Sequence, residues 1–240
     1  MLKVEIAVAK VAKYAVQESG DSVEVIERPR GGLSVVMADG QRSGRSAKAI
    51  SNLAVRKAVS LVAEGVRDGA VARAAHDYLR TQRGGQVSAE LIILSVDLET
   101  RTLVISRNSR CPVLLGEGDV WRLLDEPSET VGIHYRTRPV IVELPLAAGQ
   151  TVVAFTDGVL SAGSRRGVAF DVVSAVRGLA CQPNGTAQQM ADGLLSAVLD
   201  LEEGRPTDDV TVVVMQILAE SHSQGPEVRR MTVSFPIAVG

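Results

Sequence analysis

Apolar and polar residues alternate along several short stretches of the chain, which is the pattern of half-buried β-strands. Near the start, this alternation predicts strands at Leu2 to Ala9, Asp21 to Glu27 and Leu33 to Ala38. Residues 29–32 (Pro-Arg-Gly-Gly) carry a turn signal between the second and third of these strands. The sequence therefore predicts that the chain opens with a small antiparallel sheet.

The later part of the chain alternates between helical and β-type patterns. A period of about 3.6 residues predicts four helices, at residues 46–64, 70–83, 168–179 and 186–201. Six β-type runs lie between the two helix pairs, at residues 89–96, 102–107, 112–115, 120–124, 140–144 and 151–155. Val210 to Leu218 is almost entirely apolar and rich in β-branched residues, which predicts a buried central strand.

The order of these elements predicts the fold class. Short turns between the strands favour an antiparallel meander, and the helices come in two pairs. We therefore expect an α+β fold, a four-layer α/β/β/α sandwich of two stacked antiparallel sheets flanked by helix pairs. We expect residues 1–240 to form a single domain with its core at about residues 1–218. Residues 219–240 are predicted to be a loop with a possible edge strand at Val228 to Val239.

Composition narrows the classes of partner and compartment. The chain has 240 residues, is 45% hydrophobic and carries a formal net charge of −2, so we expect neither nucleic acid nor a membrane as a partner. No apolar run reaches the roughly 20 residues that span a bilayer. The charged N-terminal residues interrupt any signal-peptide core, and Cys111 and Cys181 fit no metal-binding or disulfide pattern. These features predict a cytoplasmic protein.

Acidic residues recur at the ends of the predicted strands. They are Asp21, Asp39, Asp157 and the pair Asp208 and Asp209. A single Asp-Gly after a strand is usually a turn, but here three acidic strand ends can converge on one rim of the sandwich. Carboxylates gathered there without matching bases would repel each other and would bind protons or hard cations such as Mg²⁺ or Mn²⁺. Two such ions can activate a water and clamp a phosphoryl group.

The motifs around these acids resemble those of the metal-dependent protein phosphatase (PPM, protein phosphatase 2C-like) superfamily. The resemblance is to its bacterial branch of sporulation stage II protein E and general-stress phosphatases. The matching segments, in family order, are Ser19-Gly20-Asp21, Ala38-Asp39-Gly40, Val131-Gly132-Ile133, Phe155-Thr156-Asp157-Gly158-Val159 and residues 207–214 (TDDVTVVV). No single segment is specific, but their order is informative. The fold expected from the pattern is also the one that the resemblance implies.

The resemblance further implies a centre of two Mn²⁺ or Mg²⁺ ions. Its ligands would be Asp21, Asp39, the Gly40 carbonyl, Asp157 and Asp208, with Asp209 as a less certain ligand. Asp39 looks like the ligand that bridges both ions, with the Gly40 carbonyl on the second. Asp157 and Asp208 look like ligands of the first ion, and Asp21 would help hold the second, directly or through water. Catalysis would rest on Asp39, Asp157 and Asp208 through a metal-activated water.

The chain departs from the family pattern in the loop after Asp39 and Gly40. Many relatives have a second glycine where this chain has Arg42, and some eukaryotic relatives have a histidine, proposed as a general acid, where it has Gln41. Water would then protonate the leaving oxygen. Arg42 and Arg45 are candidates to bind the substrate phosphate, because guanidinium groups match phosphate oxygens. The other interpretation is that both are ordinary solvated residues.

The function that the resemblance implies is a protein serine/threonine phosphatase. Its substrate would be a phosphorylated regulatory protein of a bacterial partner-switching pathway, such as an anti-sigma-factor antagonist or a stress-complex protein. The alternative is a catalytically weak pseudophosphatase that binds a phosphoprotein. A phosphatase of the haloacid dehalogenase type needs an acid at Phe155 and is disfavoured. Since Asp21 already belongs to the predicted catalytic core, we expect a stand-alone phosphatase without a fused sensor domain.

Overall fold

The strands form two antiparallel sheets of five strands each. A computed structural model describes residues 1–182, 185–220 and 228–234. The first sheet has the order β1 (Leu2–Val11), β10 (Val210–Ala219), β9 (Gln150–Phe155), β6 (Val113–Glu117) and β7 (Val120–Leu124). The second has the order β2 (Asp21–Glu27), β3 (Gly32–Gly40), β4 (Ala89–Asp97), β5 (Thr102–Asn108) and β8 (Val140–Pro145). Every strand predicted between residues 2 and 218 is present.

Helices lie on the outer faces of both sheets. They are α1 (Gly44–Ala63), α2 (Asp68–Gln82), α3 (Asp157–Ser161), α4 (Val172–Ala180) and α5 (Ala187–Leu201). The four long helices were predicted, whereas the five-residue α3 was not. Thr186 caps α5: its hydroxyl accepts a hydrogen bond from the Gln189 main-chain N–H, and the Gln189 side chain accepts one from the Thr186 N–H.

Alternation along β3 shows how the layers are built. Val35 and Met37 pack into the core between the two sheets, whereas Val36 and Ala38 pack into the core under α1 and α2. Successive strand residues point to opposite faces, so a strand covered on both faces is apolar throughout. The same rule explains the continuous apolar run of β10. These layers confirm the predicted α/β/β/α sandwich.

The expectation of a small sheet formed by the first three strands is wrong. β1 pairs with β10, with Ala7 opposite Val214, whereas β2 and β3 belong to the other sheet. Alternation identifies a strand but not its partner, and β10 is a buried strand that needs a neighbour on each edge. Residues 228–234 carry no strand, and the rest of the predicted edge strand lies outside the described residues.

The assignment of residues 1–240 to a single domain stays a prediction. In the described parts of the chain, no helix has the length and apolar character needed to cross a bilayer.

Candidate functional site

The register of the second sheet places three acids side by side. Asp39, near the end of β3, lies opposite Asp21 on β2 and opposite Glu90 on β4. Side chains directly opposite each other in an antiparallel pair have Cβ atoms about 4.5–5.5 Å apart. Two of these acids were predicted site residues. Glu90 was missed, although a glutamate inside the apolar run Ala-Glu-Leu-Ile-Ile is a signal that could have been followed.

Asp21 connects the two sheets at this edge. It is fully buried, and its Oδ2 accepts hydrogen bonds from the hydroxyl of Thr211 (2.5 Å), on β10 of the first sheet, and from that of Thr156 (3.1 Å), which directly follows β9. The other carboxylate oxygen, Oδ1, is buried without a hydrogen-bond partner among the described residues. Both threonines lie inside the quoted motifs, but the sequence did not indicate their role.

Asp157 and Asp208 come to the same edge from the first sheet. Asp157 follows β9 and opens α3, where a carboxylate is favoured by the helix dipole. Gly158 lets this turn pack on the loop before β10, since a Cβ there would lie 2.1 Å from the Asp209 carbonyl oxygen. Asp208 accepts a hydrogen bond from the Asp209 N–H at 2.9 Å.

The charges of these acids act on one another. Burial and the neighbouring carboxylates Asp21 and Asp157 raise the pKa of Asp39 to about 9. Burial, followed by Asp208 and Glu90, raises the pKa of Asp157 to about 6. Burial also raises the pKa of Asp21, against the hydrogen bond from Thr211. The predicted acids therefore form one electrostatic cluster that draws carboxylates from both sheets.

Asp209 differs from its neighbour Asp208. Its Oδ1 accepts the main-chain N–H of Lys13 (2.9 Å), and its Oδ2 accepts the main-chain N–H of Gly20 (2.8 Å). Asp209 is also buried. These contacts hold the segment between β1 and β2, which delivers Asp21.

Helix α1 fixes the two loops that carry Asp21 and Asp39. A Cβ on Gly40 would lie 2.1 Å from the Ala47 carbonyl oxygen, and one on Gly20 would lie 2.6 Å from the Ala47 Cβ. Ala47 is fully buried. Glycine at both positions therefore allows the loops to approach the first turns of the helix closely.

Two lysines lie next to the acids, which sequence reasoning did not anticipate. The ammonium groups of Lys10 and Lys48 both donate to the Asp21 carbonyl oxygen, at 2.5 Å and 2.6 Å. Burial and the charge of Lys48 lower the pKa of Lys10 to about 8. The expectation of carboxylates without matching bases is therefore wrong in part. Single lysines on a strand and a helix give no pattern from which this could be predicted.

The loop after Gly40 keeps a glycine-like backbone. Arg42 has φ = +80°, the left-handed region that L-residues with a Cβ rarely adopt, at the position where the family resemblance implies glycine. Gln41 is tied to Ser88, with its N–H donating to the Ser88 carbonyl (3.0 Å) and its Oε1 accepting the Ser88 N–H (3.2 Å). The side chains of Arg42 and Arg45 are exposed.

The donor set suits a hard divalent cation bound partly through water. Within residues 1–182, 185–220 and 228–234, no group of three or more His, Cys, Asp or Glu side chains is arranged to hold a metal ion. Mg²⁺ is typically held by one or two carboxylates and several waters. The unpartnered Oδ1 of Asp21 and the raised pKa of Asp39 are the features that a cation would relieve. The residues present therefore fit such ions.

Comparison with known proteins gives consistent relatives. The profile of the stage II sporulation protein E (SpoIIE) family matches residues 29–218. Stage II sporulation protein E of Bacillus subtilis is 22% identical over 215 residues, which cover 90% of this chain but only 26% of that protein. The chain thus spans about a quarter of the length of that relative.

Solved structures agree in fold. The PP2C phosphatase domain of SpoIIE from Bacillus subtilis, with a fragment of its regulatory domain, superposes with a TM-score of 0.78 at 21% identity, covering 92% of this chain and 65% of that one. The catalytic domain of the serine/threonine protein phosphatase PstP, in complex with two manganese ions, gives a TM-score of 0.68 at 15% identity, covering 91% and 100%. The chain therefore has the fold of these PP2C-type phosphatase domains, and it belongs to the stage II sporulation protein E family.

Proposed function

We propose that this chain is a metal-dependent protein serine/threonine phosphatase that hydrolyses phosphoserine or phosphothreonine on a regulatory protein. The observation that carries the proposal is the meeting of acidic strand ends around Asp21, whose buried Oδ1 lacks a partner among the described residues. An unpaired buried carboxylate beside other carboxylates is costly unless a cation compensates it. Family membership and the manganese-bound relative support a cation.

The proposed centre would hold two ions, Mn²⁺ or Mg²⁺. The groups that would hold them are the carboxylates of Asp21, Asp39, Asp157 and Asp208 and the Gly40 carbonyl. When bound, the ions would supply the positive charge that phosphoryl transfer needs and would lower the pKa of the water that attacks phosphorus. Catalysis is thus proposed to rest on Asp39, Asp157 and Asp208.

The remaining residues of the site position these acids. The hydroxyls of Thr156 and Thr211 both bind Oδ2 of Asp21, so that Oδ1 has no hydrogen-bond partner among the described residues. Both carboxylate oxygens of Asp209 accept hydrogen bonds from main-chain N–H groups. We therefore propose that Asp209 holds the segment between β1 and β2 and that Asp208 is the metal ligand. Gln41 cannot give up a titrating proton, so the leaving serine oxygen would take its proton from water.

The proposed partner is a phosphorylated regulatory protein in a bacterial partner-switching pathway. An anti-sigma-factor antagonist or a stress-complex protein fits the branch to which the chain belongs.

The alternative is a catalytically weak pseudophosphatase that binds a phosphoprotein. The observation that favours it is the pair Lys10 and Lys48, whose ammonium groups already place positive charge beside Asp21. A site in which lysines offset part of the negative charge has less need of metal. The two functions differ in turnover, which a simple assay measures.

The test is hydrolysis of p-nitrophenyl phosphate and of a phosphothreonine peptide with and without Mn²⁺. We expect turnover that depends on Mn²⁺ and falls at least 100-fold in Asp39→Ala and in Asp157→Ala, since each removes a direct ligand. Asp192→Ala, an exposed acid on α5 that accepts a hydrogen bond from Gln188, is the matched control and should keep full activity. Folded protein without Mn²⁺-dependent turnover would refute the enzyme and favour the pseudophosphatase.

A further inference from the structure

The loop between β5 and β6 contacts Glu90, which lies opposite Asp39 in the second sheet. Ser109 donates from its hydroxyl to Glu90 Oε2 (2.6 Å) and accepts the Cys111 N–H (2.9 Å). From beneath, the buried guanidinium of Arg107 donates to the Ser109 carbonyl at 2.7 Å. Since Glu90 lies opposite Asp39 in the sheet, this loop is fixed against the centre of the cluster.

Arg110 is the exposed residue of this loop. Its main-chain N–H and its Nε both donate to Glu90 Oε1, each at 3.3 Å. The Arg110 side chain is nevertheless 80% exposed, whereas that of Glu90 is 11% exposed. Glu90 therefore holds the inner part of the side chain and aims it, while the terminal nitrogens of the guanidinium remain in solvent.

The position of Arg110 relative to the acids follows from two observations. Its partner Glu90 is the register neighbour of Asp39, and its own side chain is exposed to solvent. Arg110 thus lies near this proposed metal ligand, on the solvent side. A dianionic phosphate monoester that approaches the cluster meets this cation at the rim.

The other two candidate arginines are less well oriented for binding phosphate. Arg42 stands at a left-handed backbone position in the loop after Gly40, and Arg45 belongs to the first turn of α1. Both side chains are exposed. An arginine held in one orientation loses less conformational freedom when it binds phosphate than one that moves freely in solvent. The paired contact with Glu90 gives Arg110 that advantage.

We propose that Arg110, oriented by Glu90, forms the subsite that binds the phosphoryl oxygens of the substrate, in place of Arg42 and Arg45. The proposal rests on the phosphatase function proposed above. The ligand class is a phosphate monoester, and inorganic phosphate as product should compete for the same guanidinium. Glu90 is then a positioning residue, which acts on the substrate through Arg110.

The experiment compares Arg110→Ala, Arg110→Lys and Glu90→Gln with the wild type. Kinetics with p-nitrophenyl phosphate and Mn²⁺ give KM and kcat, and inhibition by inorganic phosphate gives Ki. We expect Arg110→Ala to raise both KM and Ki about tenfold, the effect of losing a charge-assisted hydrogen bond. Arg110→Lys should recover part of the loss, because it keeps the charge but lacks the fork. Glu90→Gln should raise KM less than Arg110→Ala does.

Arg30→Ala is the matched control. Arg30 is also exposed and ion-paired with a glutamate, Glu99, but it lies in the turn between β2 and β3, at the end of the sheet away from Asp21 and Asp39. It should leave KM and Ki unchanged. The apparent affinity for Mn²⁺ and the melting temperature of Arg110→Ala should also match the wild type, because Arg110 is not a ligand.

Two outcomes would overturn the proposal. If Arg110→Ala changes Mn²⁺ affinity or melting temperature but leaves KM and phosphate Ki unchanged, the Arg110–Glu90 pair is structural. If Arg42→Ala or Arg45→Ala raises Ki and Arg110→Ala does not, the subsite lies on the other loop. Calorimetric titration with inorganic phosphate in the presence of Mn²⁺ keeps the test independent of turnover. Failure of the wild type to hydrolyse any substrate would refute the proposed function, and this titration would still decide on the subsite.

Discussion

The raised pKa of Asp39 predicts an unusual pH dependence of stability in the metal-free protein. Its pKa rises from 3.8 to about 9 on folding, so the folded chain binds a proton that the unfolded chain releases. The contribution of Asp39 to stability is then fully present below pH 3.8 and is lost as the pH rises towards 9. One proton corresponds to about 1.4 kcal/mol per pH unit. Between pH 5.5 and 7.5, the ionisation of Asp39 alone would lower the free energy of unfolding by at most about 2.7 kcal/mol.

Water screens part of this effect, because Asp39 is only half-buried. We therefore expect the wild type, with EDTA present, to lose about 1–3 kcal/mol of unfolding free energy between pH 5.5 and 7.5. Asp39→Asn cannot take up the proton, and it also removes a negative neighbour of Asp21 and Asp157. Between pH 5.5 and 7.5, Asp39→Asn should lose less than half as much unfolding free energy as the wild type. Urea denaturation followed by circular dichroism measures both values.

Added Mn²⁺ completes the test. At a concentration about 100 times its dissociation constant, Mn²⁺ should stabilise the wild type by about 2.7 kcal/mol at pH 7.5, and it should not stabilise Asp39→Asn. Asp192→Asn is the control on the protein surface and should behave as the wild type does. Parallel pH profiles for wild type and Asp39→Asn would refute the reasoning that Asp39 is a proton acceptor in an acidic cluster.

Three further changes test how the site is held. Asp209→Ala leaves the main-chain N–H groups of Lys13 and Gly20 without acceptors, so urea denaturation should show a loss of about 2–4 kcal/mol; Asp208→Ala should instead weaken Mn²⁺ binding at least tenfold with little effect on the metal-free protein. Gly40→Ala should cost at least about 2 kcal/mol, since its Cβ would lie 2.1 Å from the Ala47 carbonyl oxygen, whereas Gly178→Ala on α4 meets open space and should not destabilise. Because Arg42 has φ = +80°, Arg42→Gly should be more stable than Arg42→Ala by about 1 kcal/mol in thermal unfolding.

Each of these expectations has a contrary result. Equal stability losses in Asp208→Ala and Asp209→Ala would remove the distinction between ligand and loop anchor. A well-tolerated Gly40→Ala would mean that α1 can move away from the loop. If Arg42→Ala is as stable as Arg42→Gly, the left-handed conformation carries no strain.

The sequence predicted the elements well because each is encoded locally. Thr186 with Gln189 marks the start of α5, and the apolar run from Val210 marks a strand that is covered on both faces. Pairing is not local, so the partnership of β1 with β10 was missed. The helix α3 was also missed, because Asp-Gly at residues 157–158 reads as a turn, and only the packing of Gly158 on the Asp209 carbonyl makes it a helical start.

Some residues of the candidate site could likewise be predicted from the sequence, and others could not. The sequence pattern pointed to four acids at the boundaries of predicted strands, Asp21, Asp39, Asp157 and Asp208. The structure brings them to one edge of the sandwich. The residues that surround them come from positions without any motif. Glu90 is adjacent to Asp39 only through the register of β3 and β4, and Lys10 and Lys48 meet at the Asp21 carbonyl only after the sheets stack. Tertiary geometry, which a single sequence does not encode in any short pattern, decides these contacts.

The hydrogen bonds to Asp21 have a mechanical consequence. One oxygen of a residue on the second sheet is held by two hydroxyls of the first sheet, from the end of β9 and the start of β10. The Asp21 carboxylate thus joins the two sheets at this edge of the sandwich, together with the hydrogen bond from Lys10 on β1 to the Asp21 carbonyl. A cation bound to the free Oδ1 of Asp21 would strengthen this link between the sheets, and its loss would weaken the link. When the metal binds, amide hydrogen exchange should therefore slow down in both sheets together at the edge that carries Asp21.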